Sequence, residues 1–286
     1  MRIHQWIAGV VLALIVATAA AAFLAGPLLP WSPVRPGYTG QKAGKALLIV
    51  PRETPLPPGF VRLDALIGMV EERTGLWLES PVRIVLAGSW GQFNRGALLG
   101  FDARPGEVLG ATLPTGTIVY LSPRALEPDR NASEVLLHEM THAVLFQHMS
   151  LPNSFAFRKL DWLEEGLAEH IGDANPILSD SAWSRLAVDE GYLYPVTQGV
   201  GSVAIPDAER YRFVLESQRL FVQYLMVRFG SETFYQFLDR VLADPERHAE
   251  AFQSVFGLSE EEADAAFARE VSSGAWPIFS QLRMRP

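Results

Sequence analysis

Five residues near the middle of the chain decide the fold, and they read His138-Glu139-Met140-Thr141-His142. On an α-helix, residues four apart lie one above the other on the same face. The two imidazoles can therefore reach a single Zn²⁺ at about 2.0–2.1 Å. Glu139 lies close enough to act on a water bound to that ion, whose pKa the metal lowers to about 7. This H-E-x-x-H pattern is typical of zinc hydrolases, most often peptidases.

The surrounding sequence predicts the helix that this geometry requires. Residues 132–146 carry apolar side chains at helical spacing, and Asn131 or Ser133 can cap the N-terminus. Two histidines that enclose a glutamate on an otherwise apolar helix are costly to bury without a metal. We therefore predict a zinc site rather than a pair of core histidines that only satisfy their own hydrogen bonds.

A catalytic zinc needs a third protein ligand besides the two histidines. His148, six residues after His142, fits the spacing H-E-x-x-H-x-x-G-x-x-H of metzincins. That pattern uses a glycine to turn the chain back toward the metal, but here Leu145 favours continued helix. Continued helix rotates His148 away, so we predict that it is a polar residue near the helix C-terminus, where a cation is favourable.

A second segment, which begins 20 residues after His142, opens another predicted helix and reads Trp162-Leu163-Glu164-Glu165-Gly166. With the first motif, it resembles the W-L-x-E-G segment of gluzincins, the metallopeptidases that include aminopeptidase N-like and thermolysin-like enzymes. The resemblance implies that Glu165 is the third zinc ligand. Glu164 stands where many aminopeptidase-type members have Asn, a position that does not supply the ligand.

The same resemblance implies two further roles. Glu169, four residues after Glu165, matches a carboxylate that orients a ligand histidine and fixes its tautomer in thermolysin-like enzymes; a surface charge is the alternative. Many gluzincins also place a Tyr or His where it stabilises an oxyanion. Tyr211 is the candidate here, Tyr192 and Tyr194 compete with it, and an ordinary packing role is the alternative for each tyrosine.

The chain beyond the two motifs is similar to bacterial peptidase MA-like domains. The similarity lies in a long helix with an aromatic-Gly end, a following helix and an F-x-x-x-F-G segment, here within residues 217–230, 234–238 and 251–259. A last amphipathic helix would follow, with Ser259 as its N-cap. The resemblance covers roughly residues 110–272 and implies a zincin-like fold, Zn²⁺ as cofactor and a peptide or protein substrate.

The order of predicted elements is α+β, with a small β-sheet region first and a mostly helical half after it. Strands and one early helix are predicted at 46–50, 63–78 (the helix), 82–86 and 117–121. In gluzincins, a strand just before the metal helix borders the cleft and pairs with an extended substrate. Here residues 117–121 or 110–113 would do so, and a plain structural hairpin is the alternative.

The N-terminus predicts export. After Arg2, the chain runs from Trp6 to Leu29 with almost no polar residue. About 20 such residues span a bilayer, whereas the apolar core of a signal peptide has about 7–15. We favour an uncleaved transmembrane signal anchor in the cell membrane, with a cleaved signal peptide and a secreted or periplasmic protein as the alternative. In both cases the catalytic part would lie outside the cytoplasm.

These patterns divide the chain into four predicted parts, namely the signal helix 1–29, a Pro/Gly-rich linker 30–44, a zincin-like metallopeptidase domain 45–276 and a tail 277–286. The chain contains no cysteine, which excludes a thiol nucleophile, a Cys-ligated zinc and any disulfide. Its net charge is −8, and the absence of a basic stripe argues against nucleic acid as a partner. The oligomeric state is left open.

The sequence thus predicts a membrane-anchored zinc metallopeptidase in which His138, His142 and Glu165 bind Zn²⁺. Glu139 would take a proton from water as general base and return it to the leaving amine as general acid. A non-catalytic binding module of the same fold is one alternative, against which the intact Glu139 argues. A zinc hydrolase of a non-peptide amide is the other, and a substrate screen separates it from a peptidase.

Overall fold

A computed structural model of the 286-residue chain describes residues 2–25, 29–32, 36–52, 54, 60, 62–97, 108–127, 131–172, 183, 187, 195–198 and 208–273. The strands are β1 (Tyr38–Ala43), β2 (Ala46–Pro51), β3 (Val82–Leu86), β4 (Gly110–Thr112) and β5 (Ile118–Leu121). The helices are α1 (Arg2–Ala25), α2 (Leu63–Thr74), α3 (Trp90–Gly96), α4 (Ala132–Gln147), α5 (Leu151–Phe157), α6 (Asp161–Gly172), α7 (Ala208–Phe229), α8 (Ser231–Ala243), α9 (His248–Phe256) and α10 (Glu260–Ser272). Sheet first and helices later is the predicted α+β order.

The five strands form one mixed sheet in the order β1-β2-β3-β5-β4. Its centre is parallel, because β3 pairs in parallel with both β2 and β5, whereas β1 and β4 are antiparallel to their neighbours. The three central strands are the three that the sequence predicts. They are apolar and largely buried, as expected of a parallel sheet covered on both faces.

Strand β1 differs from the prediction, because it lies inside residues 30–44, the segment predicted to be a linker. A two-residue turn joins it to β2, since Ala43 pairs with Ala46. Gly44 in that turn has a φ of +47°, a conformation that glycine adopts at no steric cost. The Pro/Gly-rich segment 30–44 is therefore more than a linker, because it contains strand β1 and begins a hairpin turn.

Among the described strands, β4 is at an edge of the sheet, with β5 as its neighbour. Of the two segments predicted to border a substrate cleft, residues 117–121 are excluded as a docking edge, because β5 pairs with β3 on one side and β4 on the other. The segment 110–113 contains β4 and stays the candidate for the strand that pairs with an extended substrate.

Helix α2 is shorter than predicted, whereas helix α10 begins where the sequence predicts. Helix α2 ends at Thr74 instead of residue 78, because Gly75 adopts a φ of +69° and stops the helix. Helix α10 starts as predicted at Ser259, whose side chain accepts from the amide of Glu262 while the Glu262 carboxylate accepts from the amide of Ser259. This reciprocal pair is a capping box.

The N-terminal apolar segment forms α1, which ends at Ala25 rather than at the predicted Leu29. Residues 29–31 instead form one turn of 3₁₀-helix. Across the parts of the chain that the structure describes, none of the helices is both long and apolar enough to cross a bilayer. The membrane anchor predicted for residues 6–29 stays a prediction.

The chain divides into two compact units, Met1–Glu71 with Leu78–Ala143, and Glu72–Trp77 with Val144–Pro286. In the first unit, α3 packs its Phe93 against the sheet, where it joins a buried cluster of Ile49, Val85, Ala87, Ala97, Ile118 and Tyr120. The sheet unit thus has its own hydrophobic core.

The second unit is helical and has an aromatic core. The fully buried indole of Trp162 on α6 lies 5.3 Å from the ring of Phe221, and 6.2 Å from the rings of both Phe237 and Phe252, measured between centroids. Each of these rings comes from a different helix, so Trp162 fixes α6 against α7, α8 and α9. Aromatic pairs at such spacings add about 0.5–1.5 kcal/mol beyond their buried area.

Gly166 brings α6 close to α7. A Cβ placed on Gly166 would lie 2.6 Å from the carbonyl oxygen of Gln218 and 2.9 Å from a methyl of Val222. Only glycine permits this approach, which explains on packing grounds why a glycine follows Glu165 in the second motif.

Replacing Gly166 with alanine tests this packing. We expect Gly166→Ala to lower the unfolding free energy by about 1–3 kcal/mol, the usual cost of overpacking, measured by urea unfolding. Gly68→Ala is the control, because Gly68 lies within α2 and a Cβ there meets nothing within 4 Å. Alanine at that site is expected to stabilise by about 0.5–1 kcal/mol. Equal stabilities of the two variants would contradict the close packing of α6 on α7.

Candidate metal centre

The two motif histidines lie on α4, and their rings meet edge to face. The Nε2 atoms of His138 and His142 are 3.0 Å apart, and their ring centroids are separated by 4.8 Å. Two tetrahedral zinc ligands at 2.0–2.1 Å from the ion are about 3.3 Å apart. The pair therefore needs only a small adjustment to hold one ion, and the helical spacing produces this arrangement as predicted.

Helix α4 is capped at one of the two residues that the sequence indicates. The amide of Ser133 donates to Oδ1 of Asn131 at 3.1 Å, and Nδ2 of Asn131 donates to Glu134 at 2.7 Å. Asn131 is thus the cap, not Ser133. The helix then continues through Leu145 to Gln147, which confirms that no turn follows His142.

Glu139 is buried and has a defined partner. The hydroxyl of Thr112 on β4 lies 2.7 Å from Oε2 of Glu139 and 3.0 Å from its backbone carbonyl oxygen. Both side chains are only 5% exposed. The sequence analysis assigned no role to Thr112, although this polar residue lies in the segment 110–113 that was predicted to border the cleft.

Glu165 lies on α6 and is half-buried. One ligand atom from each of His138, His142 and Glu165 lies within 4.8 Å of the other two, and these residues could hold a metal ion. Two imidazole nitrogens and one carboxylate oxygen are a donor set of catalytic zinc sites, which leave a fourth position open. The chemistry of these three side chains therefore fits Zn²⁺.

Helix α6 is held near both ends by arginines of its own unit. Arg158 lies 3.8 Å from the buried carboxylate of Glu164, and Arg73 donates to the backbone carbonyl of Ile171 in the last turn. Successive helical residues point about 100° apart, so the side chain of Glu165 leaves the helix in another direction than that of Glu164. That Glu165 and not Glu164 is the ligand stays a prediction.

A half-buried histidine lies further along α6. Burial lowers the pKa of His170 to about 4, and the positive charges of Arg219 and Arg73 act in the same direction. Arg219 is itself paired with the buried carboxylate of Glu216 on α7. His170 is therefore neutral at pH 7 and adds no positive charge to the helix that carries Glu165.

His148 follows the last residue of α4 and is turned to a different partner. Its Nε2 lies 2.8 Å from the backbone carbonyl oxygen of Trp77, and its ring meets the Trp77 indole edge-on at 5.8 Å. The group of possible metal ligands found among the described residues does not include it. This position fits the predicted polar residue at the helix end rather than a third ligand.

The structure does not test the roles that were predicted for the other site residues, and these roles stay predictions. Glu169 is half-buried on α6, four residues after Glu165, and Tyr211 is 36% exposed near the start of α7. Tyr192 and Tyr194 lie outside the described residues.

Comparisons with known proteins give distant structural likeness alone. No protein-family model matches the sequence, and the search of curated proteins gives no match. The structure is similar to that of an M1 zinc metallopeptidase from Deinococcus radiodurans, with a TM-score of 0.40 and 14% identity over 80% of this chain and 50% of the other. A point mutant of an M1 zinc metallopeptidase from that organism gives a TM-score of 0.39 and 15% identity over 87% and 52%. The chain thus spans about half of each, and neither likeness is strong enough to assign a family or an activity.

Replacing His148 tests whether it takes part in metal binding. We expect His148→Ala to bind as much zinc as the wild type, because the imidazole is turned to the carbonyl of Trp77. The measurement is zinc content by elemental analysis after dialysis, with His142→Ala as the variant that should lose zinc. Loss of zinc from His148→Ala would restore the metzincin interpretation.

Proposed function

We propose that the protein is a zinc-dependent peptidase of the gluzincin type. The observation that carries this proposal is the convergence of His138, His142 and Glu165, whose ligand atoms lie within 4.8 Å of one another. The buried Glu139, one residue after the first ligand, supports a hydrolytic rather than a purely structural zinc. A structural zinc usually has four protein ligands and needs no such base.

The proposed chemistry divides between the ion and the side chains. When bound, Zn²⁺ supplies a Lewis acid that polarises a carbonyl and acidifies a water. Glu139 takes the proton of the attacking water and delivers it to the leaving amine, a role worth about 10²–10⁴-fold in rate. We assign Glu169 to orienting a ligand histidine and Tyr211 to stabilising the oxyanion, as the resemblance implies.

An extended peptide is the substrate that the sheet edge favours. Strand β4 has β5 on one side, and a peptide that adds to such an edge is held by main-chain hydrogen bonds with little demand on its sequence. Action outside the cytoplasm remains a proposal that rests on the apolar N-terminal sequence.

Zinc stoichiometry tests the ligand set. We expect one zinc per wild-type chain and a loss of affinity of about 100-fold or more in Glu165→Gln, since even outer partners of a zinc ligand contribute 10–100-fold. Glu164→Gln is the matched control, because it removes the same charge from the adjacent position and should keep zinc. Equal zinc in both variants would place the third ligand elsewhere, and a wild type without zinc would favour the binding-module alternative.

Peptide cleavage by Glu139→Gln tests the reaction. We expect this variant to keep its zinc and to lose about 10²–10⁴-fold in cleavage of a mixed peptide library, because the amide cannot accept the proton. The measurement is product formation by mass spectrometry, with zinc content recorded on the same sample. Substantial activity in the zinc-loaded variant would remove Glu139 from the mechanism. Zinc without peptide cleavage in the wild type would direct the search to other amides.

A further inference from the structure

Strand β4 passes directly along the side chain of Glu139. Gly110 and Thr112 are two residues apart on this strand, so they face the same side of the sheet. Both approach Glu139, one through its lack of a side chain and the other through its hydroxyl. Two residues of one short strand therefore shape the space in which the carboxylate lies.

The hydroxyl of Thr112 acts mainly on the carboxylate. It carries one proton and has two acceptors within reach, Oε2 of Glu139 at 2.7 Å and the backbone carbonyl at 3.0 Å. The carboxylate oxygen is the nearer of the two acceptors, at a distance typical of O–H···O hydrogen bonds. The proton therefore goes to the carboxylate, and the bond restricts the rotation of the Glu139 side chain.

Gly110 is required for space and not for its backbone conformation. It is absent from the described glycines with positive φ, so its backbone is accessible to other residues. A Cβ at this position, however, would lie 2.6 Å from both Cγ and Cδ of Glu139. Any side chain at residue 110 would displace the carboxylate from where it now lies.

We propose that Gly110 and Thr112 form a seat for Glu139, in which Thr112 is a positioning residue for the general base. This inference rests on the proposed role of Glu139 in hydrolysis. The seat matters because a misplacement of about 1 Å in a reacting group can cost about 10²-fold in rate. Glycine opens the space, and the threonine hydroxyl selects one position of the carboxylate within it.

Two substitutions of Thr112 separate positioning from packing. Thr112→Val keeps the shape and removes the hydroxyl, whereas Thr112→Ser keeps the hydroxyl and removes a methyl. For a positioning residue, we expect Val to lower kcat by about tenfold or more with little change in KM and in zinc content, and Ser to restore most of kcat. The reverse order, with Val active and Ser impaired, would show that Thr112 serves only packing and would overturn the proposal.

A second experiment needs neither metal nor activity. The urea concentration at the unfolding midpoint is measured, without zinc, for four proteins. These are the wild type, Gly110→Ala, Glu139→Ala and the double variant. Because the added methyl meets the Glu139 side chain, we expect Gly110→Ala to lower the midpoint in the wild type and to leave it unchanged or raise it when residue 139 is shortened. Such coupling between neighbours is what a double-mutant cycle measures.

The two experiments separate the inference from the function on which it rests. If Gly110→Ala changes the urea midpoint equally in both backgrounds, Gly110 does not make room for Glu139. The proposal is then wrong, whatever the activity of the protein. If the wild type binds zinc but cleaves no peptide, the proposed function fails, and the zinc-free cycle still decides whether Gly110 makes room for Glu139. A crystal structure of zinc-free Thr112→Val supplies a direct check, in which an unmoved Glu139 carboxylate would contradict the role of the hydroxyl.

Discussion

One turn of α4 is the constraint on which the rest of the site depends. It holds the Nε2 atoms of His138 and His142 3.0 Å apart and places Glu139 between them in the chain. Such a turn brings three polar side chains into a largely buried helix, where each needs a partner to offset lost hydration. A metal ion would satisfy the imidazoles, and the Thr112 hydroxyl donates a hydrogen bond to the carboxylate. The polar site and the apolar helix are thus compatible.

Two glycines solve the same steric problem in different parts of the chain. Gly110 lets β4 run beside the Glu139 side chain, and Gly166 lets α6 approach the backbone of α7. In each case the glycine is next to, or in contact with, a residue assigned to the site. Glycine is required at both positions because neighbouring atoms lie too close for a side chain, and not because of the backbone conformation. Sequence rules for turns therefore do not identify these glycines.

Elements with strong local patterns could be predicted, and long-range contacts could not. The apolar runs of β2, β3 and β5, the capped helix α4 and the Ser259 capping box are all marked by neighbouring residues. Strand β1 is polar and mostly exposed, so no alternation distinguishes it from a connection. The bond from Thr112 to Glu139 joins residues 27 apart, and it depends on where β4 passes α4, which no spacing encodes. The candidate ligands are predicted from the motif and the resemblance together, because the geometry of one helix accounts for the two histidines and not for Glu165.

The short length of β4 has a consequence for solubility. An exposed sheet edge offers unpaired backbone groups that can template pairing with another chain, and proteins limit this hazard with short or charged edge strands. At the described edges, β4 is three residues long, while β1 is longer but polar and carries Lys42. Three residues suffice to border the side chain of Glu139. They provide too little edge to nucleate self-association between sheets of neighbouring molecules.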